Sequence, residues 1–158
     1  MADSGSASLA KSPTTLYALT VFWGAFLLFL VQPLIGKYIL PWFGGTPGVW
    51  TTCLLFFQCL LLTGYAYAHC LNHFLPPRKQ AWVHGGLLMM AICTLPITPS
   101  EALQPDGEGT PVWAILKLLG LSLGVPYMIL SSTGPLVQAW FARAHAGASP
   151  YRLYALSN

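Results

Sequence analysis

The chain of 158 residues is 55% hydrophobic and only 7% charged, with a formal net charge of +3. A soluble domain carries roughly 25% charged residues, so this chain has too few charges to cover a globular surface in water. The composition therefore predicts a protein embedded in lipid. No cluster of basic and aromatic residues suggests binding to nucleic acid.

Four apolar runs approach the roughly 20 residues that a helix needs to cross a bilayer. In chain order they cover residues 16–35, 49–70, 81–97 and 112 to about 140. Soluble helices show a polar face to water, and these runs have almost none. We therefore predict an all-α, polytopic membrane helix bundle of about four transmembrane helices in residues 16–145. Residues 1–15 are predicted to form a flexible polar N-terminal tail.

Proline sets the predicted ends of the first helices. The first helix is expected to begin at about Ser12 or the threonines after it, with Pro13 in its first turn. It is expected to end near Gln32 and Pro33, because proline disfavours the helical conformation in the residue before it. The double proline of the sequence LNHFLPPRKQ predicts a short turn between the second and third helices.

Two interpretations of the fourth run stay open. In the first, which we slightly favour, the span covers residues 111–131. A short amphipathic helix near the C-terminus then lies in the membrane interface, with Leu136 and Trp140 on its apolar face. In the second, the span covers residues 118–140 and is kinked at Pro135. A G-x-x-x-G pattern at Gly120 and Gly124 predicts close helix packing in either case.

Basic residues fall mainly on one predicted side of the membrane. If each run crosses once, that side holds Lys11, Arg78, Lys79, Arg143 and Arg152. Lys37 and Lys117 fall on or near the opposite side, where the loop TPSEALQPDGEGT carries only acidic charges. Lysine and arginine in short loops favour the cytoplasmic side, so both termini are predicted to be cytoplasmic.

A stripe of polar residues marks the second helix. Thr51, Gln58, Tyr65 and His69 are seven, seven and four residues apart, which places them on one face. They could line a pathway or pocket for a solute. The more frequent use of such residues is hydrogen bonding between helices.

The sequence predicts no catalytic residues, metal or other cofactor. Three histidines, His69, His73 and His84, surround one turn and have the chemistry to ligate haem or a metal. Histidines at a membrane interface need no ligand to explain them, and the four cysteines form no Cys-x-x-Cys pair. Carboxylates occur only in the tail and one loop, so no acid–base pair is placed in a pocket. The chain itself is therefore not expected to be an enzyme.

Two segments carry a resemblance to a known family: LLFLVQPLIGKYILPWFGGTPGVWTTCLLFFQCLLLTGYAYAH and STGPLVQAWFARAHAGASPYRLYALSN. The chain resembles the N-terminal membrane portion of bacterial proteins described as fused major-facilitator-like and spermidine-synthase-like. The more specific motifs are Gln32-Pro33, Lys37, Pro41, the GGTPGVW element and the SPYRLYALSN ending.

The resemblance implies a place in the bacterial inner membrane and further helices after residue 158. It also implies a soluble Rossmann-like aminopropyltransferase domain beyond those helices. The nucleoside-binding glycines and acidic residues of that domain have no counterpart in these 158 residues, so polyamine synthesis carries over to none of them. Residues 146–158 would be a linker and the start of a further helix, at the end of a fragment.

Two functions are expected from these observations. The first is binding or transport of a small polar solute, with Gln32, Lys37, Gln58 and Tyr65 as candidate solute-binding residues. Residues 30–50 would then contribute a broken helix end to the site, as in transporters, or would simply connect two spans. A cationic solute is disfavoured because the spans contain no carboxylate. The second function is a structural or anchoring subunit, which would hold a soluble enzyme domain or other membrane subunits at the bilayer.

Overall fold

The computed structural model describes residues 4–97 and 111–145, with side chains in 14–97 and 111–145. It contains four α-helices in this part of the chain: α1 Ser4–Phe43, α2 Pro47–Phe74, α3 Pro77–Cys93 and α4 Pro111–Ala144. The predicted all-α class is confirmed. Three segments, Thr14–Phe43, Pro47–Phe74 and Pro111–Ala144, are long and apolar enough to cross a membrane. Helix α3 has 17 residues, which is the lower limit for a span.

Helix α4 lies at the centre of the bundle, and the other three helices pack on it. Helices α1 and α4 are antiparallel, because Tyr17 near one end of α1 meets Phe141 near the far end of α4, with ring centroids 5.4 Å apart. Helices α1 and α2 touch each other little. A space therefore remains between them over the surface of α4.

The end of α2, the start of α3 and the end of α4 meet at one end of the bundle. Arg143 of α4 donates to the side-chain and backbone oxygens of Asn72 in α2. Arg78 and Lys79 lie in the first turn of α3 nearby. The three cations therefore share one end, as the sequence predicted, and we call it the basic end. Lys37, close to the other end of α1, lies at the opposite end.

Tryptophans occur near both ends of the bundle. Trp42, Trp50 and Trp113 lie within four residues of a helix terminus at the end opposite the basic end. Trp82 and Trp140 lie near the basic end, and Trp82 is 83% exposed. Tryptophan is enriched at both water interfaces of membrane proteins, so this placement agrees with a bundle that spans a bilayer.

An apolar core fills the half of the bundle opposite the basic end. It consists of Ile35, Ile39, Val49, Cys53, Phe57, Ile115, Leu118, Leu119, Leu123 and Tyr127, and we call it the apolar plug. Lipid tails are as apolar as these side chains, so the close fit of the side chains, rather than their removal from water, favours association of α1, α2 and α4.

The predicted end of the first helix at Gln32 and Pro33 is wrong. Helix α1 continues through Pro33 and Pro41 to Phe43. A proline inside a helix removes one backbone hydrogen bond, whereas a helix end leaves four carbonyl groups without partners. In hydrocarbon each such group is costly, so a helix that continues through the prolines has a lower free energy than one that ends there.

The helix also begins at Ser4, so residues 4–15 are helical, although they were predicted to be a flexible tail. Extending a formed helix costs little, because each added residue gains one hydrogen bond.

The glycine-rich element after α1 is a tight corner. Gly44 has a φ of +77°, a conformation that glycine adopts without the usual steric cost. Its N–H donates to the Leu40 carbonyl at 2.9 Å and so terminates the helix. Pro47 is the first residue of α2, where its missing N–H removes no helical bond.

The favoured interpretation of the fourth run is also wrong. Helix α4 is continuous from Pro111 to Ala144 and contains both Pro126 and Pro135, so residues 132–144 belong to the same helix as the span and do not form a separate interfacial helix. Leu136, which was expected in the membrane interface, is fully buried and packs with Ala68 and Leu71 of α2. This contact keeps the end of α4 in line with the bundle.

Close packing at the G-x-x-x-G pattern is not observed in the described part of the chain. A Cβ added at Gly120 or Gly124 would meet no atom within 4 Å. The first three residues, the acidic loop in residues 98–110, and residues 146–158 with Arg152 lie outside the described residues.

Candidate solute-binding cavity

A cavity of about 680 Å³ lies between α1 and α2, with α4 behind it. Its lining residues occur within 21–32 of α1, 58–65 of α2 and 127–142 of α4. On each helix, the buried residues of the apolar plug lie on the side of these segments away from the basic end. The contact of α1 with α2 and α4 is therefore closely packed at the plug and leaves a cavity on the side toward the basic end.

Three of the four predicted site residues meet at this cavity. Gln32, Gln58 and Tyr65 all line it, although they come from two different helices. Lys37 does not line it and is exposed toward the opposite end of the bundle. The glycine-rich corner after α1 also lies outside the lining, so this part of the chain connects two helices.

Gln32 and Tyr127 form the polar floor of the cavity. The Gln32 Nε2 atom donates to the Tyr127 hydroxyl at 3.1 Å. Tyr127 is 2% exposed, and its ring packs against Phe57 of the plug at a centroid distance of 5.0 Å. The tyrosine thus belongs to both regions, with its ring in the apolar plug and its hydroxyl toward the cavity.

Helix α4 contributes three polar residues to the cavity that were not among the predicted site residues. Tyr127, Ser131 and Gln138 also line the cavity, and they are spaced by four and seven residues. This is the same helical spacing that identified the stripe on α2. The favoured interpretation ended the span at Ser131 and so separated Gln138 from the other two residues, whereas the second interpretation, with a span over residues 118–140, keeps all three in one helix.

The remaining residues of the α2 stripe have other surroundings. The Thr51 hydroxyl donates to the Pro47 carbonyl of its own helix at 2.9 Å. His69 stacks on His73 at the surface of α2, with ring centroids 6.2 Å apart. The stripe is therefore divided, and only its central pair, Gln58 and Tyr65, reaches the cavity.

His84 is buried in the contact between α3 and α4. Its Nε2 lies 3.0 Å from the Thr133 hydroxyl, which itself donates to the Ile129 carbonyl at 3.0 Å. The hydroxyl hydrogen is thus already used, so His84 Nε2 is the donor in this pair. Within residues 14–97 and 111–145, no three His, Cys, Asp or Glu side chains are grouped closely enough to hold a metal ion.

The chemistry of the cavity is neutral and polar. None of the described residues that line it is charged, and its polar groups are amides and hydroxyls. Its volume lies within the roughly 300–1,000 Å³ of small-molecule pockets. Such a site can recognise a solute by hydrogen bonds, and its apolar walls can contact the rest of the ligand.

No protein-family model, curated protein or solved structure matches this chain.

Water access to the cavity is testable with single cysteines. In a background without Cys53, Cys59, Cys70 and Cys93, we expect Ala139→Cys to react readily with a membrane-impermeant thiol reagent, because Ala139 lines the cavity. Leu123→Cys should resist the reagent, because Leu123 is 1% exposed within the plug. Mass spectrometry of the labelled protein gives both rates. Equal rates would show that the cavity and the plug do not differ in access to water.

Proposed function

We propose that this chain is a membrane module that binds a small neutral polar solute in the cavity between α1, α2 and α4. The observation that carries the proposal is the convergence of six neutral polar side chains on one space next to the apolar plug. They are Gln32, Gln58, Tyr65, Tyr127, Ser131 and Gln138. In this role the chain is non-catalytic and presents the solute to a transport pathway or to another domain.

The proposal includes a cellular setting. The motifs around Gln32-Pro33 and GGTPGVW support membership of the fused major-facilitator-like and spermidine-synthase-like proteins of the bacterial inner membrane. The basic end, with Arg78, Lys79 and Arg143, is the cytoplasmic end by the positive-inside rule. Any aminopropyltransferase activity would reside in a separate domain beyond residue 158.

The uncharged lining of the cavity disfavours a polyamine as its solute, although the resemblance is to proteins described as spermidine-synthase-like. A cation taken from water into a membrane cavity loses its hydration and needs a counter-charge. No carboxylate lines the cavity among the described residues. Amide and hydroxyl groups compensate the hydration of a neutral solute more completely than that of a multiply charged one.

A matched pair of glycine variants tests the proposal. A side chain at Gly134, which lines the cavity, would enter open space, since an added Cβ meets no atom within 4 Å. Gly134→Leu should therefore fill part of the cavity without displacing its walls. Gly120→Leu adds the same side chain to the same helix, at an exposed position that is equally open and outside the cavity.

The measurement is thermal unfolding of the protein in lipid nanodiscs, with a panel of small amides and polyols and with spermidine as the cationic comparison. We expect at least one neutral solute to raise the unfolding temperature of the wild type and of Gly120→Leu, but not of Gly134→Leu. A panel without effect on the wild type would contradict the proposal. Stabilisation by spermidine alone would contradict it as well.

Features of the basic end favour a second candidate function, the anchoring of a soluble domain or another subunit. Phe74 is 75% exposed and Trp82 is 83% exposed there, next to the exposed cations Arg78 and Lys79. Such a mixed surface suits an acidic protein partner. Replacement of both cations by glutamine should then release a co-purifying partner and leave the solute response unchanged. If the partner stays bound, this surface is not its docking site.

A further inference from the structure

Three of the six polar side chains in the cavity are glutamines, namely Gln32, Gln58 and Gln138. A carboxamide carries an acceptor oxygen and a donor nitrogen side by side. Two carboxamides can therefore form a pair of parallel N–H···O bonds, whereas a hydroxyl group offers one donor on one atom. The three glutamines therefore indicate which chemical class of solute the cavity suits.

The glutamine amides are largely available to a ligand. Gln138 is 8% exposed, and its amide makes no hydrogen bond to the described residues. Gln58 likewise has no hydrogen-bond partner in this part of the chain. The Gln32 amide uses one N–H for Tyr127, which leaves its oxygen and its second N–H. Gln138 is the buried one of the two unpaired amides, whereas Gln58 is exposed. An unpaired amide away from water is costly, so a ligand that pairs with Gln138 gains more than one that leaves it unpaired.

Two prolines add acceptors from the main chain. In a helix, the N–H of a residue donates to the carbonyl four residues earlier, and proline has no N–H. Pro33 therefore leaves the carbonyl of Phe29 without its usual donor, and Pro135 does the same to the carbonyl of Ser131. Phe29 and Ser131 both line the cavity. The site is thus rich in acceptors and suits a ligand with several N–H groups.

From these observations we infer that the solute carries a carboxamide or urea-like group, which pairs with Gln138 in the cavity. This inference rests on the proposed function and specifies its ligand. An amide supplies the N–H donors for the free carbonyls and the paired donor and acceptor for the glutamine. A carboxylate would face these carbonyls with like partial charge, and an ester would have no hydrogen to donate.

The test compares three probes of similar length: succinamide, dimethyl succinate and the polyol erythritol. Ligand-observed NMR with the protein in nanodiscs gives the dissociation constant of each. We expect succinamide to bind most tightly and dimethyl succinate to show no saturable binding. Gln138→Leu should weaken succinamide binding about tenfold, since a pair of hydrogen bonds is lost.

Two controls separate the possible outcomes. Gln58→Leu removes a second amide from the same cavity and provides an independent variant if Gln138→Leu fails to fold. Leu121→Gln adds an amide at an exposed site outside the cavity and should leave the affinity unchanged.

Binding of erythritol in preference to succinamide would overturn the amide assignment but support a polar solute site. Failure of all three probes would overturn the assignment and count against the proposed function itself. Equal succinamide affinity in the wild type and in both cavity variants would overturn the role of the glutamines.

Discussion

Replacing Gly64 with alanine is expected to destabilise the protein by about 1–3 kcal/mol, the usual cost of overpacking a tight core. Gly64 lies where α2 crosses α4. An added Cβ would overlap the Ser131 hydroxyl and would come within 2.8 Å of the Met128 carbonyl oxygen. Since that carbonyl belongs to the backbone of α4, the two helices would have to move apart.

Gly120→Ala is the matched control for this prediction. It places the same methyl group on a helix at a position with no atom within 4 Å, so it should be neutral or should stabilise the helix by up to about 1 kcal/mol. Thermal unfolding in detergent, followed by circular dichroism, measures both effects. The double variant Gly64→Ala/Ser131→Gly should recover part of the loss, because it removes one of the two clashing groups. Equal stability of Gly64→Ala and the wild type would show that the crossing of α2 and α4 is looser than described.

Gln80→Leu is expected to release α3 from the bundle. Gln80 is fully buried, and its Nε2 donates to the Leu75 carbonyl at 2.6 Å. Its Oε1 accepts from Trp140 Nε1 at 2.8 Å and from Arg143 Nη1 at 3.4 Å. Leucine has a similar size but would leave these groups without their partner. Each buried polar group left unpaired costs about 1–3 kcal/mol.

The comparison variant is Gln58→Leu, which makes the same chemical change at an exposed position without hydrogen-bond partners among the described residues. It should leave the stability nearly unchanged. Hydrogen exchange with mass spectrometry measures the opening of α3 directly, and amide protection over Pro77–Cys93 should fall in Gln80→Leu alone. Unchanged protection in that variant would show that other contacts hold α3, such as the bond between His84 and Thr133.

The helices themselves were predictable because their signal is local. Long apolar runs cannot lie in lipid in any form other than a helix or a closed barrel, and the turn at the double proline is set by chain geometry. The continuation of α1 through Pro33 was not predictable by the same rules. Rules for proline come mostly from helices in water, where a broken helix can bond to solvent, and lipid removes that alternative.

Half of the polar lining was predictable for a similar reason. Gln58 and Tyr65 share a face of one helix, so spacing alone places them together. Their meeting with Gln32 and Gln138 depends on which helices pack on α4 and at what depth. Those contacts arise between residues far apart in the chain, such as Gln32 and Tyr127, and no short-range pattern specifies them.

The apolar plug determines where a membrane voltage would act on this protein. Water that fills the cavity from the basic end would bring the electrical potential of that side of the membrane as far as Gln32 and Tyr127. Most of the voltage would then fall across the plug, over about half of the thickness of the membrane. Moving one elementary charge through 100 mV involves about 2.3 kcal/mol, and this work would be concentrated just beyond the Gln32–Tyr127 hydrogen bond. A dipolar solute on that floor would lie at the edge of the strongest field, so its orientation would respond to the energised state of the membrane.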